Sequence, residues 1–197
     1  MTDLFEQSSQ KLDAAITEIQ HAIATGLANK QRLFETMRQL YGEGSANGAW
    51  SQRDAFDLLE AALTRHMAGL LNKPQMLHQI SEISALIEAL PTHTVRSEDQ
   101  IRFQQFSTPA DLAALCVILA QPLATDIVLE PSAGHGALVA TLPDVSALHL
   151  NEIDPRRREK LALLFPDATI TEIDGAMLAS HLDAAVQPSL ILMNPPF

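Results

Sequence analysis

Polar residues and glycines that can bind a ligand follow four short apolar runs in the second half of the chain. The sequence EPSAGHG begins at Glu130, an Asn-Glu pair ends in Glu152, Asp174 follows the third run, and NPPF begins at Asn194. Glycine lets a backbone approach a ligand closely, and an acid about twenty residues after a glycine loop suits the two hydroxyl groups of a ribose. Asp174 can accept a hydrogen bond from an adenine amino group. These residue types favour a nucleoside-bearing ligand.

The glycine loop alone is a weak signal. Its spacing is G-x-G, from Gly134 to Gly136, without the third glycine of the dinucleotide fingerprint. No lysine follows the loop, as one does in a P-loop, so triphosphate binding is not expected. The seven histidines show no metal-ligand spacing, so no metal site is predicted, and His135 is expected only to fill the loop.

Strands alternate with helices around these residues. Strands are predicted at 127–130, 147–151, 169–173 and 190–193, and helices at 109–120, 137–142, 155–165 and 176–182. This alternation is typical of a parallel α/β sheet with right-handed crossovers, in which ligands bind beyond the carboxyl ends of the strands. We therefore expect the four polar strand ends to meet at one cavity, beside Gly134.

Residues 1–90 are predicted to be helical. Apolar residues recur at three- and four-residue spacing over residues 4–40, with a break near Gly26, and again over two later segments. Ser51 and Asp54 match a capping box at the start of the second segment, and Pro74 suits the first turn of the third. Such stripes usually mean only a core, so a structural cap on the next domain is favoured over a partner or nucleic-acid surface.

The pattern divides the chain into three parts. A helical bundle or hairpin covers residues 1–90, a polar linker covers 91–105, and an α/β domain covers 106–197. The helix at 109–120 is expected to be capped by Ser107 or Thr108. Cys116, within the apolar run AALCVILA, is expected to be a buried, reduced thiol.

The chain is acidic in both halves and has a net charge of −11. Its overall field does not attract nucleic acid, so the basic surface for any nucleic-acid substrate is expected elsewhere. The single basic run, Arg156 to Arg158, is interpreted as a solvated helix face, with a phosphate contact as the alternative. With no signal-peptide pattern and no long apolar run, we expect a cytoplasmic protein that does not enter a membrane.

Five short blocks carry a resemblance to a known family. In chain order they are QFSTP at 105–109, EPSAGHG at 130–136, NEID at 151–154, IDG at 173–175 and NPPF at 194–197. This order resembles that of class I S-adenosylmethionine-dependent methyltransferases, specifically N6-adenine DNA methyltransferases whose cofactor region precedes the catalytic motif. The resemblance covers roughly residues 103–197, and the helical residues 1–90 lie outside it.

The resemblance implies a Rossmann-like class I methyltransferase sheet, present here as its N-terminal half, that binds S-adenosyl-L-methionine. It implies that the first block closes over the methionine part, that Glu152 binds the ribose and that Asp174 binds the adenine. The implied cofactor-binding residues are Phe106, Ser107, Thr108, Pro109, Glu130, Pro131, Ser132, Ala133, Gly134, Gly136, Glu152, Ile153, Asp174, Gly175 and Asn194.

The resemblance also implies a catalytic loop at the NPPF block. The Asn194 side-chain oxygen and the Pro195 carbonyl would accept both N–H bonds of an exocyclic amine and so free its lone pair. Two consecutive prolines, Pro195 and Pro196, fix φ and make the direction of that carbonyl rigid. Phe197 would stack on a base swung out of its strand, which contributes about 1–3 kcal/mol per base.

The implied reaction is methyl transfer to the N6 amine of adenine in DNA. Guanine N2 in RNA and a glutamine amide in protein are alternatives, because the same loop suits any planar amine. A non-catalytic interaction module, in which the helices bind a partner or a second copy, is an alternative of another class. Because sheets of this family have three further strands, we expect a fragment that is inactive alone and contacts DNA, or RNA, through another region.

Overall fold

A computed structural model of the chain describes residues 2–42, 49–70, 76–92 and 107–195. These residues form seven α-helices and four β-strands. The helices are α1 (Thr2–Ala24), α2 (Lys30–Tyr41), α3 (Gln52–Ala68), α4 (Met76–Ala89), α5 (Ala110–Ala120), α6 (Pro155–Leu164) and α7 (Leu178–His181). The strands are β1 (Ile127–Glu130), β2 (Ala147–Asn151), β3 (Thr169–Thr171) and β4 (Leu190–Ile191).

The four strands form one parallel sheet with the order β3-β2-β1-β4. The α/β prediction is therefore confirmed. The chain leaves β1 in one direction to form β2 and β3, and it returns to the other side of β1 to form β4. The carboxyl ends of β1 and β4 thus flank the point where the strand order reverses, which is where open parallel sheets form a ligand crevice.

Several predicted elements are shorter than expected. The helix predicted at 137–142 is only a 3₁₀ turn, Ala137–Val139. Gly136 precedes it with φ 78°, and Pro143 follows it. The residue before a proline avoids the helical region, so too few residues remain to form an α-helix. Strands β3 and β4 also end two residues before their predicted limits.

Helix α5 differs from its prediction in two respects. Its N-cap is Pro109, without a side-chain cap, so the prediction of Ser107 or Thr108 as the cap is wrong. Cys116 is exposed, so the prediction of a buried thiol is also wrong. The helix buries its alanine-rich face, which includes Ala113 and Val117, and turns Cys116 outward instead.

The helical predictions for the first ninety residues agree with the described structure. The predicted break near Gly26 separates α1 from α2, and Gly26 itself has φ 68°. Ser51 and Asp54 make both hydrogen bonds of the predicted capping box. Pro74 and most of the predicted linker lie outside the described residues. No helix in the described ranges is both long and apolar enough to cross a bilayer.

The helical region and the sheet region pack on each other. The main hydrophobic cluster of the helical region includes Ile16, Ile19 and Leu58, and Leu163 and Leu164 at the end of α6 pack against it. A second shared cluster brings Met67 and Ile83 of α3 and α4 against Ala110, Ala114 and Ala140. Burial of this apolar surface fixes α3 beside the carboxyl edge of the sheet.

The close packing around Gly136 predicts that a larger residue there will destabilise the fold. A Cβ at this position would lie 2.9 Å from Phe165 Cζ and 3.1 Å from Leu161 Cδ1. Gly26 also has positive φ, but a Cβ there has no neighbour within 4 Å in the described residues. Both alanine substitutions should lose about 1–2 kcal/mol of unfolding free energy to left-handed backbone strain. Gly136→Ala should lose about 1–3 kcal/mol more through overpacking. Urea unfolding measures both, and equal losses would contradict the described packing.

Candidate ligand-binding site

A cavity of about 760 Å³ lies at the carboxyl edge of the sheet. Each of the four strand ends contributes a polar residue to its wall, namely Glu130, Glu152, Asp174 and Asn194, and Gly134 lies among them. The sequence prediction that these residues meet is therefore confirmed as geometry. Their roles in binding stay predictions.

Most of the predicted site residues line this cavity. The cofactor-binding candidates along it are Ser107, Thr108, Pro109, Glu130, Pro131, Ser132, Ala133, Gly134, Glu152, Ile153, Asp174, Gly175 and Asn194, and Pro195 of the predicted catalytic loop joins them. Gly136 does not line the cavity, because it faces Phe165 and Leu161 behind the loop. Phe106, Pro196 and Phe197 lie outside the described residues.

Glu152 holds the glycine loop through backbone hydrogen bonds. The Gly134 N–H donates to Glu152 Oε2 over 2.7 Å, and the Asp154 N–H donates to Oε1 over 2.8 Å. The side chain is buried, and each carboxylate oxygen keeps a further lone pair for another donor. The predicted ribose-binding acid therefore also shapes the loop.

Asn151 connects the ends of three strands, and sequence reasoning gave it no role. Its Nδ2 donates to the carbonyl oxygens of Pro131 and Ile173 over 2.9 and 2.8 Å. Its Oδ1 accepts from the Ile173 N–H and from Thr171 Oγ1 over 2.9 and 2.8 Å. All four bonds of this fully buried amide are made, so it fixes the spacing of the strand ends.

Glu130 is buried and lines the cavity, and its Oε2 has no hydrogen-bond partner among the described residues. Burial and then the charge of Glu152 raise the pKa of Glu130 well above its ordinary value of 4.5. The group can therefore hold a proton or accept a cation. An unsatisfied carboxyl at a cavity wall is a common mark of a functional site.

The Asn194 amide is positioned by Thr108. Its Nδ2 donates to Thr108 Oγ1 over 3.0 Å, which leaves its Oδ1 as the atom that can accept from a ligand. At the third strand end, Asp174 accepts from the Ala176 N–H over 3.0 Å through Oδ1 and is exposed.

The helical region supplies one wall of the cavity, which the sequence did not indicate. Glu60 of α3 reaches the cavity, where its Oε2 lies 2.9 Å from His135 Nδ1 and accepts from Ser107 Oγ over 2.5 Å. Burial alone would raise the pKa of Glu60. The bond and charge of His135, with Arg157 and Ser107, outweigh it and lower that pKa to about 2. Glu60 is therefore a carboxylate at neutral pH.

His135 does more than fill the loop, so that interpretation is corrected. Its side chain is buried against α3, and Asp57, Glu60 and His135 place one potential ligand atom each within 4.8 Å of one another. Arg53 and Arg157 each lie 3.7 Å from Asp57 and supply positive charge there. The cluster is thus a largely buried network of ionisable side chains that connects the helical region to the loop.

The interpretation of Arg156 to Arg158 as a solvated helix face is wrong for Arg157. Arg156 is exposed and pairs with Asp54 at 2.8 Å, and Arg158 pairs with Glu172 at 2.6 Å. Arg157, in contrast, is buried and lines the cavity. Successive helical residues point about 100° apart, so three in a row cannot all face solvent on a packed helix. That periodicity is the signal that could have identified Arg157.

Comparisons of the chain with protein-family models, with curated proteins and with solved structures give no match.

The Asn151 network generates a prediction about the strand ends. In Asn151→Asp the two donors to Pro131 and Ile173 are replaced by an acceptor that faces their carbonyl oxygens. The free energy of unfolding should fall by about 3 kcal/mol, because buried groups lose their partners. Asn29→Asp is the matched control, since aspartate caps a helix about equally well and should change stability by less than about 0.5 kcal/mol. Similar losses in the two variants would rule out the structural role of Asn151.

Glu130 generates a prediction about pH. A carboxyl with a raised pKa in the folded state makes the protein lose stability as pH rises from the ordinary value of 4.5 towards the raised value. Glu130→Gln removes this loss, so its Tm should exceed that of the wild type at neutral pH and match it near about pH 4.

Glu60→Gln is the control, because its effect on Tm at neutral pH should have the opposite sign. The lowered pKa of Glu60 gives stability that is present above its ordinary value and is lost as pH falls towards about 2. Its Tm should therefore lie below that of the wild type at neutral pH, and the difference should shrink on acidification. Thermal unfolding at several pH values measures both variants, and Glu130→Gln with a lowered neutral Tm would contradict the interpretation.

Proposed function

We propose that the chain is the cofactor-binding part of an S-adenosylmethionine-dependent methyltransferase that modifies an exocyclic amine. One observation carries the proposal. The polar ends of four separate parallel strands, together with Gly134, line one cavity in the order of the methyltransferase blocks. This arrangement supports a Rossmann-like class I sheet, in which the same edge holds a nucleoside cofactor.

The charge of the cavity supports a cationic ligand. Four carboxyl side chains line it, namely Glu60, Glu130, Glu152 and Asp174, whereas Arg157 is the single arginine or lysine among the described residues of its wall. S-adenosylmethionine carries a sulfonium and an ammonium, which suit such a wall. A triphosphate would be repelled. The volume of about 760 Å³ also lies in the range of small-molecule sites.

The residues at the fourth strand end suit an amine acceptor. With its Nδ2 held by Thr108, Asn194 directs Oδ1 towards an N–H donor, and the adjacent Pro195 carbonyl provides a second acceptor. Two acceptors out of the ring plane localise the lone pair on the amine nitrogen. The bound cofactor supplies an electrophilic methyl group. The protein then contributes orientation and the exclusion of water.

Adenine N6 in DNA is the proposed acceptor, by the resemblance of the NPPF block. Because the chain has a net charge of −11, its overall field does not attract nucleic acid, and the proposal places the phosphate contacts outside this chain. Guanine N2 in RNA and a glutamine amide present the same planar amine, so a transfer assay should include all three substrates.

Ligand titration tests the proposal. S-adenosylhomocysteine, the demethylated product, should bind at one saturable site, and ATP should not bind there. Asp174→Ala should weaken binding by about tenfold or more, because it removes a charged acceptor for the nucleoside. Asp183→Ala is the matched control, since this exposed aspartate also accepts from the N–H two residues on, over 2.9 Å.

Calorimetry of both variants, with Tm as a check on folding, gives the result. Absence of binding at millimolar ligand, or an equal effect of the two substitutions, would reject the proposal. The alternative function, an inert interaction module, predicts no binding of this ligand, whereas the proposed methyltransferase predicts binding. The same titration therefore separates the two functions.

A further inference from the structure

Arg157 is a buried cation whose hydrogen-bonding capacity is largely unused. Its side chain is 6% exposed, and the closest ion pair is Nη2 to Asp57 Oδ1 at 3.7 Å, which is too long for a hydrogen bond. Its Nε has no hydrogen-bond partner among the described residues. A guanidinium carries five N–H donors in a fork that matches a carboxylate, so a buried one with so few hydrogen bonds is suited to bind an anionic ligand group.

The position of Arg157 places these donors beside the glycine loop. Its Nη1 is the nearest heavy atom to a Cβ built on Gly134, at 3.8 Å. Arg157 Nη2 lies 3.7 Å from Asp57 Oδ1, and a carboxylate oxygen of Glu60 lies within 4.8 Å of one of Asp57, so Arg157 and Glu60 belong to one cluster of charges. Both residues line the cavity. One end of the cavity therefore presents a cation from α6 and an anion from α3.

Glu60 complements Arg157. Its side chain is 36% exposed, and His135 and Ser107 both bind the same oxygen, Oε2. These contacts orient the carboxylate at the cavity wall. A fixed anion beside a fixed cation suits a zwitterion, such as the α-amino and α-carboxyl groups of an amino acid.

We propose that Arg157 binds the α-carboxylate, and Glu60 the α-ammonium, of the amino-acid end of the cavity ligand. The inference rests on the proposed function, in which that end is the methionyl group of the cofactor. It makes α3 part of the ligand site, although α3 belongs to the helical region outside the resemblance. Arg157 and Glu60 then act as specificity residues for ligands that carry an intact amino acid.

Ligand analogues test the inference on the unmodified chain. S-adenosylhomocysteine, its decarboxylated analogue and 5′-methylthioadenosine share the nucleoside and differ at the amino-acid end. Loss of the carboxylate should weaken binding by about tenfold or more, because it leaves a buried cation unpaired. Methylthioadenosine, which also lacks the ammonium, should bind more weakly again. Equal affinities of the first two ligands would overturn the inference.

Two arginine variants provide the structural test. Arg157→Gln should remove the preference for the carboxylate and leave the affinity for 5′-methylthioadenosine within about twofold of the wild type. Arg156→Gln, on the same helix and 64% exposed at its side chain, should keep the full preference. If Arg157 serves only Asp57, Arg157→Gln lowers Tm and leaves the ratio of affinities unchanged, which rejects the inference.

The outcomes separate this inference from the function on which it rests. Binding of 5′-methylthioadenosine without any preference for the carboxylate overturns the role of Arg157 and keeps the nucleoside site. Absence of binding for all three ligands rejects both. The analogue comparison on the wild type decides the question even if Arg157→Gln does not fold.

Discussion

The candidate site depends on hydrogen bonds that hold the carboxyl ends of the strands at fixed spacing. Asn151 connects the ends of β1, β2 and β3 with four bonds, and Glu152 holds the Gly134 and Asp154 N–H groups with one carboxylate oxygen each. Backbone groups at strand ends have lost their ladder partners, and these two side chains replace them. These bonds satisfy the backbone groups at this edge and leave the side chains of Glu130, Asp174 and Asn194 at the cavity wall.

The contact between the helical region and the sheet region is the second constraint. Two apolar clusters are shared across it, and two ion pairs also cross it: Arg53 pairs with Asp154 at 2.8 Å, and Arg156 pairs with Asp54 at the same distance. Neither pair adds much net stability, because desolvation offsets the attraction in the largely buried Arg53–Asp154 pair and solvent screens the exposed Arg156–Asp54 pair. The two ion pairs nevertheless oppose any shift of α3 relative to α6 that would separate their charges. Glu60 is therefore held at the cavity wall by the register of α3 against α6.

The sequence was sufficient to predict the sheet and the residues at its carboxyl edge, but not the cavity wall that α3 supplies. Strand ends could be predicted because apolar runs of four or five residues stop at polar residues, and parallel strands bring those ends together. Glu60 and His135 are 75 residues apart, and no local pattern indicates that they meet. The mistakes about Cys116 and Arg157 have one cause. Composition shows that a helix is apolar or basic, whereas its packing partners decide which side turns inward.

The raised pKa of Glu130 couples the binding of a cationic ligand to the release of a proton. A positively charged molecule beside this carboxyl favours its ionised form, so complex formation expels a proton into the medium. Affinity for such a molecule should rise with alkalinity until the group is already ionised, whereas affinity for an uncharged nucleoside should stay constant. The enthalpy of association would then include the heat of protonating the buffer, and its variation from one buffer to another would count the protons exchanged at this single carboxyl.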